Sequence, residues 1–148
     1  MLLYALISVG VKLMDKKSLK SDKEWQQELP PEVYKVCRAS GTELPFSGEY
    51  VHCDKEGIYH CRCCDWPLFS HETKFDSGSG WPSFFQTLNP DSVRTITDSS
   101  HGMSRTEVRC KNCDAHLGHV FDDGPNPTGL RYCMNSVSLT LHEEEPKK

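Results

Sequence analysis

Several absences narrow the field before any motif is read. The chain has no basic excess, with 17 Lys and Arg against 21 Asp and Glu and a net charge of −4. Binding through phosphate contacts needs a clear positive balance, so the composition argues against nucleic acid as a partner. No apolar stretch is long enough to cross a bilayer; the run Leu2–Val11 is only ten residues. No basic residue precedes that run and no small-residue cleavage pattern follows it, so residues 1–20 read as a leader outside the fold rather than a signal or anchor. Met14 opens a polar stretch typical of a cytosolic start, and a cytoplasmic, non-membrane protein is expected. No internal repeat or low-complexity linker marks a boundary, so residues 21–142 are expected to form one domain, followed by a charged tail at 143–148. No long heptad gives a reason to invoke a dimer, and a monomer is expected.

What the chain does have is cysteine. Eight are present, at 37, 53, 61, 63, 64, 110, 113 and 133. A secreted disulfide scaffold is one reading of an even count, but this chain is long for one and carries two Cys-x-x-Cys pairs. That spacing points to metal and redox chemistry in a reducing compartment. The balance of 36% apolar and 26% charged residues is that of a soluble globular domain and excludes a fibrous or largely disordered chain.

Ser21 and Glu24 make a capping box for a short helix that the Pro30-Pro31 pair ends, and Pro31 opens a second through Val36. From Gly57 onward, short β-like runs alternate with turn residues: GIYHC, TKFDSGSG, SVRTIT, TEVRC and YCMNSVSLTL. The expected architecture is short N-terminal helices leading into a mainly β, antiparallel domain. In the last run, Val137, Leu139 and Leu141 alternate with Ser138, Thr140 and His142. A single strand through this segment puts Arg131, Cys133 and Asn135 on one face, so the thiol is flanked by a guanidinium and an amide. A free cysteine is more often a small buried hydrophobe, but polar flanks of this kind point to a reactive thiol.

Cys61-Arg-Cys-Cys64 and Cys110-Lys-Asn-Cys113 supply four thiolates, the donor set of a closed, tetrahedral structural zinc site. With 45 residues between Cys64 and Cys110, one zinc ion would pin two distant turns and replace core that a small β domain lacks. The competing reading is a pair of redox dithiols. His116 and His119 in HLGH have a spacing that suits two ligands on a helix, but Gly118 and the neighbouring Val and Phe argue against a helix. They read as proton-transfer groups or as polar core.

The segments GWPSF (80–84), HGMSRTEVRCKNCDAHLGHVFDDGP (101–125) and RYCMNS (131–136) resemble the B-type methionine sulfoxide reductases, which reduce the R epimer of methionine sulfoxide. The resemblance runs from about Trp25 to Leu141. It implies two antiparallel sheets with short N-terminal helices, zinc on Cys61, Cys64, Cys110 and Cys113, and Cys133 as the nucleophile. It further implies an active site with His116, His119, Arg131 and Asn135, and Trp81 as an aromatic wall. The substrates implied are oxidised proteins or peptides, and the reductant is thioredoxin-like.

The chemistry fits these residue types. A sulfoxide sulfur becomes electrophilic once its oxygen is protonated or strongly hydrogen-bonded, so a nucleophile and a proton donor are needed together. A thiol of pKa about 8.5 needs help to ionise at neutral pH, and Arg131, together with a nearby histidine, is expected to lower the pKa of Cys133. His119, with His116 assisting, is the expected proton donor, and Asn135 orients the site. Attack leaves a sulfenic acid on Cys133 that a second thiol must resolve. In many members of the resembled family that thiol precedes the Gly-Trp-Pro turn, where this chain has Ser79. Cys37, on an N-terminal segment expected to be mobile, is then the candidate resolving thiol. Cys53, Cys63 and direct reduction by an external thiol are the alternatives. Two rival functions remain: a zinc-ribbon-like binding module without catalysis, and a general disulfide oxidoreductase working through one Cys-x-x-Cys pair.

Overall fold

The computed structural model describes residues 20–99 and 102–144; the leader expected at residues 1–20, apart from Lys20, and the last four residues of the expected tail lie outside them. Among the described residues two short helices come first, α1 (Asp22–Glu28) and α2 (Pro31–Cys37). The capping box is formed as expected, with the Ser21 side chain accepting from the Glu24 N–H and Glu24 returning the contact. Nine strands follow: β1 (Gly57–Cys61), β2 (Pro67–Ser70), β3 (Lys74–Phe75), β4 (Ser83–Phe84), β5 (Val93–Asp98), β6 (Arg105–Cys110), β7 (His116–Phe121), β8 (Arg131–Met134) and β9 (Leu139–Glu143). They form two antiparallel sheets, ordered β2-β1-β9 and β3-β4-β8-β7-β6-β5.

The core lies between the sheets. Tyr59 and Phe69 of the smaller sheet meet Phe84 of the larger one, with ring centroids 5.2 and 4.4 Å apart, and Phe69 also meets Tyr132 at 5.5 Å. Each such aromatic contact contributes about 0.5–1.5 kcal/mol beyond the area it buries. The helices close one end, where Trp25 and Val33 are fully buried and Arg38 stacks 4.7 Å above the Trp25 ring.

Two expectations are corrected. TKFDSGSG contributes only the two residues of β3, because Asp76 accepts from the Gly78 N–H and turns the chain. The segment 131–141 is two strands in different sheets, joined by a 3-10 turn at Ser136–Ser138. The alternation fails there: Ser138 is fully buried, while Val137 is partly exposed. Passing between stacked sheets about 10 Å apart requires a bend. The polar side chains make it possible by satisfying backbone groups at the crossing: Asn135 Nδ2 donates to the Leu117 carbonyl and the Ser138 hydroxyl donates to the His116 carbonyl.

Candidate active site

Directly opposed residues of antiparallel strands share a sheet face. Across the larger sheet the pairing runs Ser83 to Cys133 to His119 to Glu107, one residue from each of β4, β8, β7 and β6. Arg131 and Phe121, opposed two residues further along, lie on the same face, and the guanidinium sits 4.4 Å above the phenyl ring. This face, turned away from the core, carries a cavity of about 320 Å3 lined by Ser79, Trp81, His119, Arg131, Cys133 and Asn135, together with Thr42, Arg105, Gly118 and Phe121. The sequence-selected residues Cys133, His119, Arg131, Asn135 and Trp81 are therefore gathered at one place. Gly118 lets β7 and β8 approach closely, since a Cβ there would stand 2.0 Å from the Cys133 carbonyl oxygen.

His116 is placed differently. A plain strand points residues three apart to opposite faces, but β7 has an extra residue opposite the Val108/Arg109 step, and this bulge returns His116 to the face of His119. The two rings meet edge to face at 5.5 Å. His116 is buried, does not line the cavity, and donates from Nδ1 to Glu107 Oε2 at 2.7 Å. Burial holds its pKa below the ordinary histidine value, so it is the neutral partner. Burial also works to raise the Glu107 pKa, but Arg109 and His116 outweigh it and the carboxyl stays charged. His119 contacts Asp98 Oδ2 through Nε2 at 2.9 Å, and Arg105 approaches the same oxygen at 3.3 Å.

Around the thiol, Ser79 Oγ lies 3.8 Å from Cys133 Sγ. Arg131 does favour the Cys133 thiolate, as does Ser79, but burial is the larger influence and the pKa is raised. The expected net lowering is therefore not found in the free site. Arg131 is itself anchored by Asp123, with Nε donating at 2.8 Å and Nη2 at 3.2 Å. Trp81 follows Gly80, whose φ of +96° is a left-handed turn, and its indole Nε1 donates to the Glu43 carbonyl at 3.1 Å. Asn135 uses both ends of its amide, accepting from the Glu43 N–H at 2.9 Å and donating to the Leu117 carbonyl at 3.1 Å. It thereby ties the loop carrying Thr42 to β7.

Cys37, expected on a mobile segment, is packed into the core. It is the last residue of α2, 2% exposed, with its thiol 3.5 Å from the Ser138 hydroxyl, and it lines none of the cavity. All eight cysteines are unbridged.

Four of them form a separate cluster. Cys61, Cys64, Cys110 and Cys113 are buried, with one sulfur from each within 4.8 Å of the others. The two turns are built alike: Asp65 N–H donates to the Cys61 carbonyl and Asp114 N–H to the Cys110 carbonyl, at 2.8 and 2.9 Å, with φ of +67° and +68° at the aspartates. The Cys61–Cys113 and Cys64–Cys110 sulfur separations are 3.6 and 3.5 Å. Four sulfurs about 2.3 Å from a tetrahedral ion lie about 3.8 Å apart, so this donor set fits one metal ion. The first turn joins β1 to β2 and the second joins β6 to β7, so an ion here would staple the two sheets together. Arg38 adds a positive charge, donating to Cys113 Sγ at 3.6 Å and to its carbonyl at 3.0 Å. Cys63 is buried within the first turn.

Ser79, Asp98, Glu107, Thr42, Arg105, Phe121 and Asp123 were not selected from the sequence as working parts of the site. Alternation along RTEVRC places Arg105 and Glu107 on one face and was a usable signal. Thr42 and Asp98 gave none, because their elements meet the site only in three dimensions.

The family model described as the SelR domain matches residues 29–143. A protein named peptide methionine sulfoxide reductase MsrB from Pseudomonas syringae pv. syringae (strain B728a) is 62% identical over 128 residues, covering 86% of this chain and 97% of the relative. Proteins of the same name from Pseudomonas putida (strain GB-1) and Chromohalobacter salexigens are each 58% identical, covering 88% and 89% of this chain and 99% and 100% of theirs.

Proposed function

The chain belongs to the SelR-domain family of peptide methionine sulfoxide reductases, and on that premise we propose that Cys133 and His119 carry out its reaction, reduction of the R epimer of methionine sulfoxide in oxidised proteins. The observation that carries the assignment is the direct cross-strand opposition of the two residues at an open cavity. Residues 21–142 act as one reductase domain in this reading.

The sulfoxide sulfur lies against the Cys133 thiol with its methyl group toward Trp81, whose apolar face and fixed turn select one hand at sulfur. Cys133 ionises as substrate enters, with Arg131 and Ser79 offsetting part of the cost of burial. The thiolate attacks the sulfur while His119 delivers a proton to the sulfoxide oxygen; Asp98 holds Nε2, leaving Nδ1 to carry that proton. The oxygen passes to Cys133, giving methionine and Cys133 sulfenic acid, so sulfur is reduced in the substrate and oxidised in the enzyme. His116 supports the His119 ring from behind, and Asn135 fixes the loop that closes the cavity.

Recycling proceeds without an internal partner. An external thiol condenses with the sulfenic acid, releasing water, and a second thiol opens the mixed disulfide to regenerate Cys133. The seclusion of Cys37 and the presence of Ser79 beside the nucleophile favour this route over resolution by Cys37. A thioredoxin-like dithiol supplies both thiols. The structural ion is zinc, which four thiolates bind in a closed shell and which contributes stability rather than chemistry. The reducing cytoplasm, in which eight unbridged cysteines persist, is the proposed location, with the chain acting as a monomer.

The test is turnover of separated R and S epimers of a blocked methionine sulfoxide with excess dithiothreitol. Consumption of the R epimer alone, lost in Cys133→Ser, is expected. Turnover that survives Cys133→Ser overturns the assignment of the nucleophile. Absence of turnover by folded, metal-loaded protein promotes the binding-module reading.

A further inference from the structure

The outer surface of the smaller sheet carries a second cluster of donors that the reductase reaction does not use. His60 on β1 and His142 on β9 occupy diagonal positions on adjacent strands, since His60 opposes Thr140 and His142 opposes Ile58. Both point away from the core formed by Tyr59, Cys61 and Leu139. Their rings lie face to face, with centroids 3.8 Å apart and planes 25° from parallel. Asp65, in the first cysteine turn, completes the group: its Oδ1 is 2.8 Å from His142 Nε2 and 3.9 Å from His60 Nδ1. One donor atom from each of the three lies within 4.8 Å of the others.

We propose that His60, Asp65 and His142 form a second metal site, for a divalent transition-metal ion of the zinc and copper class. Two imidazoles with one carboxylate suit such borderline ions, whereas magnesium and calcium require mainly oxygen donors. Three protein donors leave a position for water or for a ligand atom from another molecule. The three residues are neighbours before any ion arrives; to bind one, the imidazoles turn out of their stack and His60 Nδ1 exchanges its 2.8 Å contact with the Asp65 carbonyl for the metal. Adjacent strands set the backbone positions of both histidines, and the left-handed turn at Asp65, closed by its N–H to the Cys61 carbonyl, sets that of the aspartate. The comparison with the other cysteine turn is informative. Asp114 occupies the equivalent position but is neutralised by Arg94 and Arg109, while the ion-pair partners of Asp65 among the described residues are the two histidines. Two turns of identical backbone design thus direct their aspartates to different ends, one to guanidinium groups and one to a chelating pair.

The site lies on the opposite sheet from the cavity that holds Cys133, so its occupancy is separable from turnover. The experiment is calorimetric titration of Zn2+ into the whole chain already carrying its four-cysteine metal. A repeat with Co2+ follows, in which the added equivalent must show no thiolate-to-metal absorption. One further equivalent is expected. Losing a direct ligand costs no less than the tenfold to hundredfold typical of supporting residues, so His60→Ala and His142→Ala should each weaken it at least about tenfold. His52→Ala, at another exposed histidine, should leave it intact. Asp65→Asn keeps a residue that tolerates the left-handed turn and tests the carboxylate charge without disturbing the fold. Zn2+ should raise the melting temperature of the parent chain but not of His142→Ala, while R-epimer turnover of His142→Ala stays at the parent level. Absence of a further equivalent in the parent, or one that persists undiminished in both histidine variants, overturns the proposal.

Discussion

Cys133 on β8 and His119 on β7 stand directly opposite each other in the larger sheet, on the face that forms the cavity. Their relative position is set by strand register rather than by a loop, so the proposed nucleophile and proton donor are held by regular secondary structure. Asp98 on β5 reaches over to His119 Nε2 from two strands away. Replacing His119 by Gln removes the proposed proton donor while preserving the strand. We expect a loss of about 10²–10⁴-fold in R-epimer turnover. Alkylation of Cys133 by iodoacetamide should persist in that variant. Turnover within threefold of the parent would show that the proton comes from elsewhere.

The free enzyme should hold Cys133 mainly as the thiol at neutral pH. Burial raises its pKa more than Arg131 and Ser79 lower it, so the thiolate fraction, and with it the alkylation rate, must increase as pH rises. The midpoint of a rate-against-pH curve should lie above the ordinary thiol value of about 8.5. Arg131→Gln removes one of the two lowering influences and should move that midpoint further up. A midpoint below about 8.5 in the parent would contradict the assigned dominance of burial.

Ser79 Oγ, 3.8 Å from Cys133 Sγ, marks where a resolving thiol would have to stand. Ser79→Cys places one there. After a single turnover without reductant, the variant should lose two titratable thiols and become insensitive to sulfenic-acid reagents. The parent should instead form a trappable Cys133 sulfenic acid, detected as an added oxygen by mass spectrometry. An internal disulfide in the parent involving Cys37, found by peptide mapping, would restore the internal recycling route.

The four-cysteine cluster joins β1–β2 to β6–β7, and removing one donor exposes how much stability the ion provides. Structural zinc in small peptides contributes roughly 10 kcal/mol or more of apparent binding free energy, comparable with the whole stability of a typical domain of about 5–15 kcal/mol. Cys110→Ser should therefore lose the metal by elemental analysis and lose cooperative thermal unfolding at or near physiological temperature. A variant that is metal-free yet melts like the parent would show that the aromatic core holds the sheets together unaided.

Much of this protein was determined along the chain. The capping box at Ser21 and Glu24, the proline that opens α2, and the two Cys-x-x-Cys turns are local: each depends on residues within a few positions, and each forms where the sequence places it. The same holds for the polar flanks of Cys133, since Arg131 lies two residues away on one short strand. Only the tertiary structure decided the rest, because it turns on contacts between distant segments. The strand expected through 131–141 is cut at Asn135 because the chain changes sheets there, which local alternation does not register. His116 joins the face of His119 through a bulge whose position depends on the partner strand. Cys37 is buried against Ser138, a hundred and one residues away, although its local sequence reads as part of a mobile N-terminal segment. The pKa of Cys133 follows suit: the charges beside it can be read from the sequence, but the burial that outweighs them exists only once the sheets have closed around it.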